Sequence, residues 1–403
     1  MSDMISYAAR RIASSDIRDL LKDAQQPGMI SLAGGLPAAE LFDVEGLRAS
    51  TERVFTAPVS ALQYGMTEGQ AGLREQLVHL MAQRGCAVQA QDILVTAGSQ
   101  QALYLLARAL LDEGDAVILE RPSYLAAIQA FAFAGARVVG VSGDAQGMAV
   151  DALVERAAAL RPKLVYLVSN FANPSGACLS LERRRQLLRW AAANRVFVLE
   201  DDPYGELRYR GEALPSLRAL AREIPGAEDC CGYVSSLSKT VAPGLRLGWM
   251  VLPPALREAA AKVKQALDLH TSSLAQEVAA QYLASDRLAG HLQRVRSDYR
   301  DRCATLAAAL RTTFGSAIGF TEPEGGMFLW AHLPSGIDSR QLLDAARRRG
   351  VIFVPGDTFY AEQPERATLR LNFTTSTPAQ LREGVARLFA AYQELTGTPA
   401  ACV

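Results

Sequence analysis

The sequence predicts an α/β protein with a mostly parallel central sheet and flanking helices, followed by a smaller α+β unit. Three observations carry that prediction. Short β-rich runs alternate with helical patterns from about residue 46 to residue 285. Two of those runs, VYLV and VFVL, are apolar at every position, as strands buried on both faces must be. The 403 residues also suit two domains at ~150 residues each, and a chain that is 49% hydrophobic and 21% charged is ordinary for a globular protein.

Residues 1–45 read as an arm that also forms part of the smaller unit. Ser15 is placed to cap a short helix, Asp16 to Ala24, and ISLAGGLPAAELF then runs extended past Gly34, Gly35 and Pro37. Residues 46–285 form the larger unit. DILVT, Asp92 to Thr96, reads as a strand, and Ser99 to Leu111 as a helix with Ser99 at its N-cap. Ala116–Glu120, Arg137–Val141, Leu164–Ser169, Val196–Glu200, Tyr233–Ser235 and Leu247–Leu252 are further strands, with a helix over Leu181–Asn194. One helical region spans Pro254 to about Ala284. Residues 286–403 form the smaller unit. Its helices are Leu288–Leu310, Ser339–Arg349 and Pro378–Leu395, and its strands lie in MFLWAHL, VIFVP and ATLRLNF.

Composition narrows the function. Lys plus Arg equals Asp plus Glu at 42 each, and a neutral chain lacks the basic excess that nucleic-acid or anionic-membrane binding needs. Ser123–Ala136, the longest uncharged stretch considered, has about fourteen residues and falls short of the ~20 that span a bilayer. No cysteine pair has zinc spacing, and MSDMISYAARRIASSD has no apolar core, so a cytoplasmic protein with reduced thiols and no metal is expected. Walker, dinucleotide, nucleophile-elbow and H-E-x-x-H motifs are absent. Only five of the 42 basic residues are lysines, so a lysine inside an apolar, glycine-bearing stretch stands out, and Lys239 is one.

Four segments carry chemistry. In TAGSQQAL a strand passes through Gly98 and Ser99 into a helix, where the N–H groups of Gly98, Ser99 and Gln100 would meet a phosphate. SNFANPSG places Asn173 in a turn after a buried strand. VLEDDPYGEL ends a strand in two acids, with Tyr204 three residues after Asp201. Of the two acids, Asp202 reads as the solvated one and Asp201 as facing a ligand at the sheet's C-terminal edge. YVSSLSKTVAPGLRLGWM gathers Ser236, Ser238, Lys239 and Arg246, and a lysine beside another cation is a good nucleophile for a carbonyl.

These motifs resemble those of the fold-type I pyridoxal-phosphate aminotransferases of class I/II. The similarity runs from SLAGGLP and QYGMTEGQAGLR to ATLRLNF, closest to the 2-aminoadipate and kynurenine aminotransferase subgroup. S-x-S-K with Arg seven residues later, Asp-x-x-Tyr 38 residues before the lysine and Asn-Pro-x-Gly 28 before that Asp form one ordered set. The resemblance implies a role for each residue. Lys239 would hold the cofactor covalently and Asp201 would pair with its pyridine nitrogen. Asn173 and Tyr204 would bond its ring oxygen, and Tyr124 would stack on the ring. Gly98, Ser99, Gln100, Ser236, Ser238 and Arg246 would hold the phosphate, with Tyr64 reaching it from a partner subunit. Arg370 would bind the substrate α-carboxylate, with Asn173 and Gly35 beside it, and Arg18 on the arm helix would meet an acidic side chain.

The resemblance thus implies an aminotransferase acting between an amino acid and a 2-oxo acid, as a homodimer with a shared active site. Glutamate/2-oxoglutarate would be one couple, and 2-aminoadipate, leucine or an aromatic amino acid the other. A β-lyase, decarboxylase or racemase on the same fold stays open, because fold does not determine reaction. A MocR-type regulator is disfavoured: it would need a helix-turn-helix domain ahead of SLAGGLP, and about 30 residues precede that segment.

Overall fold

The computed structural model describes Met4 and residues 16–56 and 59–397. Ser15 lies outside the described residues, so its capping role is not addressed. In chain order the main elements begin with α1 (Asp16–Asp23), β1 (Ile30–Ser31), α2 (Val44–Thr56), α3 (Ala71–Gln83), β2 (Ile93–Thr96) and α4 (Ser99–Leu110). There follow β3 (Ala116–Arg121), α5 (Leu125–Phe133), β4 (Arg137–Asp144), β5 (Gly147–Met148), α6 (Val150–Leu160), β6 (Leu164–Val168) and α7 (Leu181–Asn194). Next come β7 (Phe197–Asp201), α8 (Leu217–Leu220), β8 (Cys231–Ser236), β9 (Gly248–Val251), α9 (Pro254–Asp268), α10 (Ser273–Leu283) and α11 (Arg287–Phe314). The last are β10 (Gly319–Phe320), β11 (Phe328–His332), α12 (Ser339–Arg348), β12 (Val351–Ile352), β13 (Val354–Pro355), β14 (Thr368–Asn372) and α13 (Pro378–Thr396).

Eight strands form the large sheet in the order β2-β9-β8-β7-β6-β3-β4-β5. The pairs β3–β4, β3–β6, β6–β7 and β7–β8 are parallel, while β9 runs antiparallel to both neighbours and β5 returns on β4. Every residue of β6 and β7 is buried, which is why β6 and the first three residues of β7 are apolar without alternation, while Glu200 and Asp201 end β7 as buried acids. Reversal of β9 leaves β2 running in the same direction as β8. The C-terminal ends of β2, β3, β6, β7 and β8 therefore share one edge, the customary place for a ligand in such sheets.

A second, antiparallel sheet has the order β10-β11-β14-β13, with Arg370 of β14 opposite Trp330 and Val354. Helices α11 and α13 pack together behind it through Phe314, which meets Phe389 at 4.9 Å and Tyr392 at 5.6 Å. The extended arm is threaded into this part: Ile30 of β1 pairs with Val351 of β12, and Asn372 N–H donates to the Leu32 carbonyl at 2.8 Å. That pairing delivers Gly35 to the edge of the large sheet.

Local chemistry explains the element ends. Ser180 accepts from Arg183 N–H and caps α7, and Thr377 and Gln380 form a capping box on α13 with Pro378 in its first turn. Four expectations need correction. Ser99 is the first residue of α4, not its cap; Gly98 holds that position with φ 85° and no side-chain bond. The helix expected over 254–284 is broken, because Leu269 takes φ 62° and Ser272 caps a new helix by accepting from Ala275 N–H. VIFVP is two short strands on different partners, β12 with β1 and β13 with β14. Asp202 is not solvated: it is 4% exposed and accepts from Asn170, Tyr233 and Gly205 N–H.

Candidate active site

The shared strand ends open into a cavity of about 480 Å³. Its wall carries Gly35, Ser99, Gln100, Tyr124, Asn173, Asp201, Tyr204, Ser236, Ser238, Lys239, Arg246 and Arg370. Segments separated by more than 300 residues in sequence thus converge as the motifs predict. A second cleft, of about 750 Å³, lies along Ser175–Cys178 and holds none of the predicted site residues.

Lys239 follows β8 by three residues, and its Nζ donates to the Gly35 carbonyl at 2.7 Å. Burial, then the positive charges of Arg370 and Arg246, lower its pKa to about 8. All three causes disfavour the ammonium form, which makes the amine available as a nucleophile near neutral pH.

Asp201 ends β7 and is 1% exposed. Its Oδ2 accepts from the Tyr166 hydroxyl at 2.8 Å, whereas Oδ1 is buried with no partner. Burial pushes its pKa up to about 7 against the pull of that hydrogen bond. An orphaned carboxylate oxygen on a cavity wall calls for a donor or cation from a ligand.

Arg370 is 2% exposed, and no carboxylate among the described residues pairs with it. Nη1 donates to Asn173 Oδ1 and Nη2 to the Ala33 carbonyl, both at 2.7 Å, while Nε has no partner. Its guanidinium lies 4.2 Å from the Phe328 ring centre and 4.9 Å from that of Phe359. Burial lowers its pKa to about 10, so it stays charged at neutral pH. A buried cation without an anion is costly, and a substrate carboxylate would complete it. Tyr204 sits 6.0 Å from Phe328, edge to face. Burial raises Tyr124 to about 12, so it is a neutral phenol.

The phosphate end combines the backbone at the start of α4 with the side chains of Ser236, Ser238 and Arg246. Gly98 needs its positive φ, and a β-carbon there would come within 2.8 Å of Arg246 Nη2. Arg246 donates to the Ala97 carbonyl at 3.2 Å, and the Ser236 hydroxyl donates to the Leu247 carbonyl at 3.0 Å and meets the Ser238 hydroxyl at 2.8 Å. The uncapped N-terminus of α4 beside Arg246 suits a dianion. The residues therefore fit a phosphorylated pyridine aldehyde: an anion cradle, an orphaned acid for the ring nitrogen and a low-pKa lysine for the carbonyl.

Three predicted residues are not on this wall: Gly98, which lies just behind it at the start of α4, Tyr64 and Arg18. Tyr64 is 79% exposed, its ring edge-on to His270 at 5.7 Å. Arg18 belongs to α1, but its side chain lies outside the described residues. Sequence reasoning missed Tyr166, Phe328 and Phe359. The tyrosine was visible as the one polar-headed residue in VYLV, whereas the two phenylalanines look like any core residues.

Residues 29–388 match the family described as aminotransferase class I and II, and the chain belongs to that family. It is 38% identical over 390 residues to aromatic-amino-acid aminotransferase 1 of Thermococcus litoralis, covering 95% of this chain and 92% of that one. Among solved structures it is similar to a kynurenine aminotransferase of Pyrococcus horikoshii in complex with PMP, with TM-score 0.92, 38% identity and 98% of each chain covered. It is also similar to LysN, the α-aminoadipate aminotransferase of Thermus thermophilus, complexed with N-(5'-phosphopyridoxyl)-L-leucine; there the TM-score is 0.91, the identity 38% and the coverage 98% and 99%.

Proposed function

We propose that this protein is a pyridoxal-phosphate-dependent aminotransferase that moves the amino group of an L-α-amino acid to a 2-oxo acid, with Lys239 as its cofactor lysine. The carrying observation is the convergence of a low-pKa Lys239, an orphaned Asp201 oxygen and an unpaired, buried Arg370 on one cavity. When bound, the cofactor supplies a carbonyl for amines and a ring that accepts the electrons released at the substrate Cα. Arg370, held in place by Asn173, Ala33 and two rings, grips the substrate carboxylate and orients the Cα–H bond. Nζ of Lys239, a low-pKa amine at the cavity wall, would hold the cofactor and, when free, would serve as the base that holds and moves the substrate Cα proton. Asp201 would keep the ring nitrogen protonated, Asn173 and Tyr204 would bond the ring oxygen, and Gly98, Ser99, Gln100, Ser236, Ser238 and Arg246 would hold the phosphate.

The substrate reading is glutamate/2-oxoglutarate paired with 2-aminoadipate, leucine or an aromatic amino acid. The names of the similar proteins support it, as do Leu36, Tyr124 and Phe328 on the cavity wall. Arg18 of α1 would receive an acidic side chain, so Arg18→Ala should raise KM for acidic substrates alone. The protein is read as a homodimer, with Tyr64 reaching its partner's phosphate site. Phe55, Leu62, Tyr64 and Met66 are each more than half exposed, an apolar face that a second copy would cover. It is further read as cytoplasmic, with no nucleic-acid or membrane partner. The five described cysteines are free, and no described helix is long and apolar enough to cross a membrane. The division into an arm (1–45), a large domain (46–285) and a small domain (286–403) is part of the same reading. A panel of amino donors, each mixed with cofactor-loaded protein, tests it: a true donor bleaches the absorbance of the lysine-bound cofactor without a 2-oxo acid present.

A further inference from the structure

The two oxygens of Asp201 have different surroundings. Oδ2 is taken by the Tyr166 hydroxyl at 2.8 Å, and Oδ1 has no partner. Strand register explains the pairing. Val168 of β6 lies beside Asp201 of β7, and Tyr166 lies beside Leu199, so Tyr166 and Asp201 share one face of adjacent strands two residues apart. Tyr166 is 0% exposed, and Phe131 meets its ring edge-on at 5.6 Å. Its hydroxyl is thus fixed beneath the carboxylate, on the strand that leads into Asn173.

The electrostatics around Asp201 are lopsided. Burial and the nearby charges of Asp202 and Glu200 oppose its ionisation, and the hydrogen bond from Tyr166 is the one influence that favours the anion. A buried hydroxyl that donates to a carboxylate lowers that carboxylate's basicity.

We propose that Tyr166 is a positioning residue for the reaction: its hydroxyl occupies Oδ2 and holds Asp201 ionised, so that the proton shared between Oδ1 and the ring nitrogen of the cofactor stays on the nitrogen. Without that hydroxyl the carboxylate becomes the stronger base. The proton moves from nitrogen to Oδ1, leaving a neutral acid beside a neutral ring, and the ring loses its pull on the Cα electrons. The inference rests on the cofactor reading above.

The test is Tyr166→Phe, which removes one oxygen and keeps the ring and its contact with Phe131. Wild-type and variant proteins are loaded with cofactor labelled with 15N at the ring nitrogen. The wild-type resonance should lie at the protonated position, and that of Tyr166→Phe should move toward the unprotonated one. The kcat for an amino donor should fall about tenfold, the scale of one hydrogen bond to a charged group, with KM within about twofold because Arg370 is untouched. Tyr166→Met also lacks the hydroxyl and should shift the resonance the same way if the phenylalanine variant does not fold. In an Asp201→Asn background, Tyr166→Phe should cost less than about a further twofold, because its effect runs through the carboxylate. A 15N position and kcat unchanged in the variants, with cofactor bound, overturn the role of Tyr166 alone. Failure of the wild-type protein to bind the cofactor at Lys239 overturns the cofactor reading and this inference with it.

Discussion

Replacing Arg370 with lysine keeps a positive charge in the cavity but removes the fork. The guanidinium is held by two 2.7 Å hydrogen bonds, to Asn173 Oδ1 and the Ala33 carbonyl, and lies against Phe328 and Phe359. An ammonium cannot satisfy both of those acceptors and still present two parallel donors to a carboxylate. One charge-assisted hydrogen bond to the substrate is lost, at about 1.5–3 kcal/mol. Poorer contact with the two rings adds roughly 0.5–1 kcal/mol. The total, about 3 kcal/mol, is roughly a 150-fold fall in kcat/KM for an α-amino acid. The assay compares that amino acid with the matching primary amine lacking the carboxylate. The amine never used Arg370, so its slow rate should change less than about threefold. An equal loss for both, with the fold intact by circular dichroism, would refute the assignment of Arg370 to the carboxylate.

Lys239→Ala should abolish turnover and the absorbance of the lysine-bound cofactor while some cofactor remains bound through its phosphate; borohydride that still fixes cofactor to the protein would point to another lysine. Asp201→Asn should keep the fold and lose orders of magnitude in rate, and wild-type rates would remove Asp201 from the ring nitrogen. Because the folded-state pKa of Lys239 is lowered to about 8, its neutral amine predominates above that pH rather than above the usual lysine value. Covalent cofactor uptake by the apoprotein should therefore rise with pH and level off above about 8. In Arg370→Gln, which removes a nearby positive charge, the midpoint should move upward; an unmoved midpoint would count against that coupling. Gly98→Ala forces a β-carbon toward Arg246 at φ 85° and should weaken cofactor binding about tenfold and lower the melting temperature, read by titration and by thermal denaturation.

Much of this architecture was legible in the chain, and for identifiable reasons. VYLV and VFVL declared themselves because strands buried on both faces tolerate no alternation. Lys239 and Asp201 stood out because each carries polar chemistry in or at the end of an apolar run, Asn173 as a turn residue after a buried strand, and Arg370, in the middle of β14, through the family resemblance alone. What escaped depends on partners distant in sequence. Asp202 looks like a solvated neighbour of Asp201 until Asn170 and Tyr233 are placed around it. The break at Leu269 has no glycine or proline to announce it. Ser99 outranks Gly98 as a cap by preference, yet the turn requires a positive φ that only glycine adopts without strain. The two-residue strands β1 and β12 are too short for any periodicity and exist because they pair with each other.

The central claim is that nitrogen passes through this cavity from one carbon skeleton to another. The direct measurement supplies a 15N-labelled L-amino acid and an unlabelled 2-oxo acid to the cofactor-loaded protein and follows the label by mass spectrometry. An aminotransferase must place 15N in the amino acid formed from the 2-oxo acid, one equivalent for each donor skeleton released as its 2-oxo acid, and must fail to do so in Lys239→Ala. Release of 15N-ammonia or carbon dioxide, or racemised donor with its nitrogen retained, in place of that transfer would contradict the account.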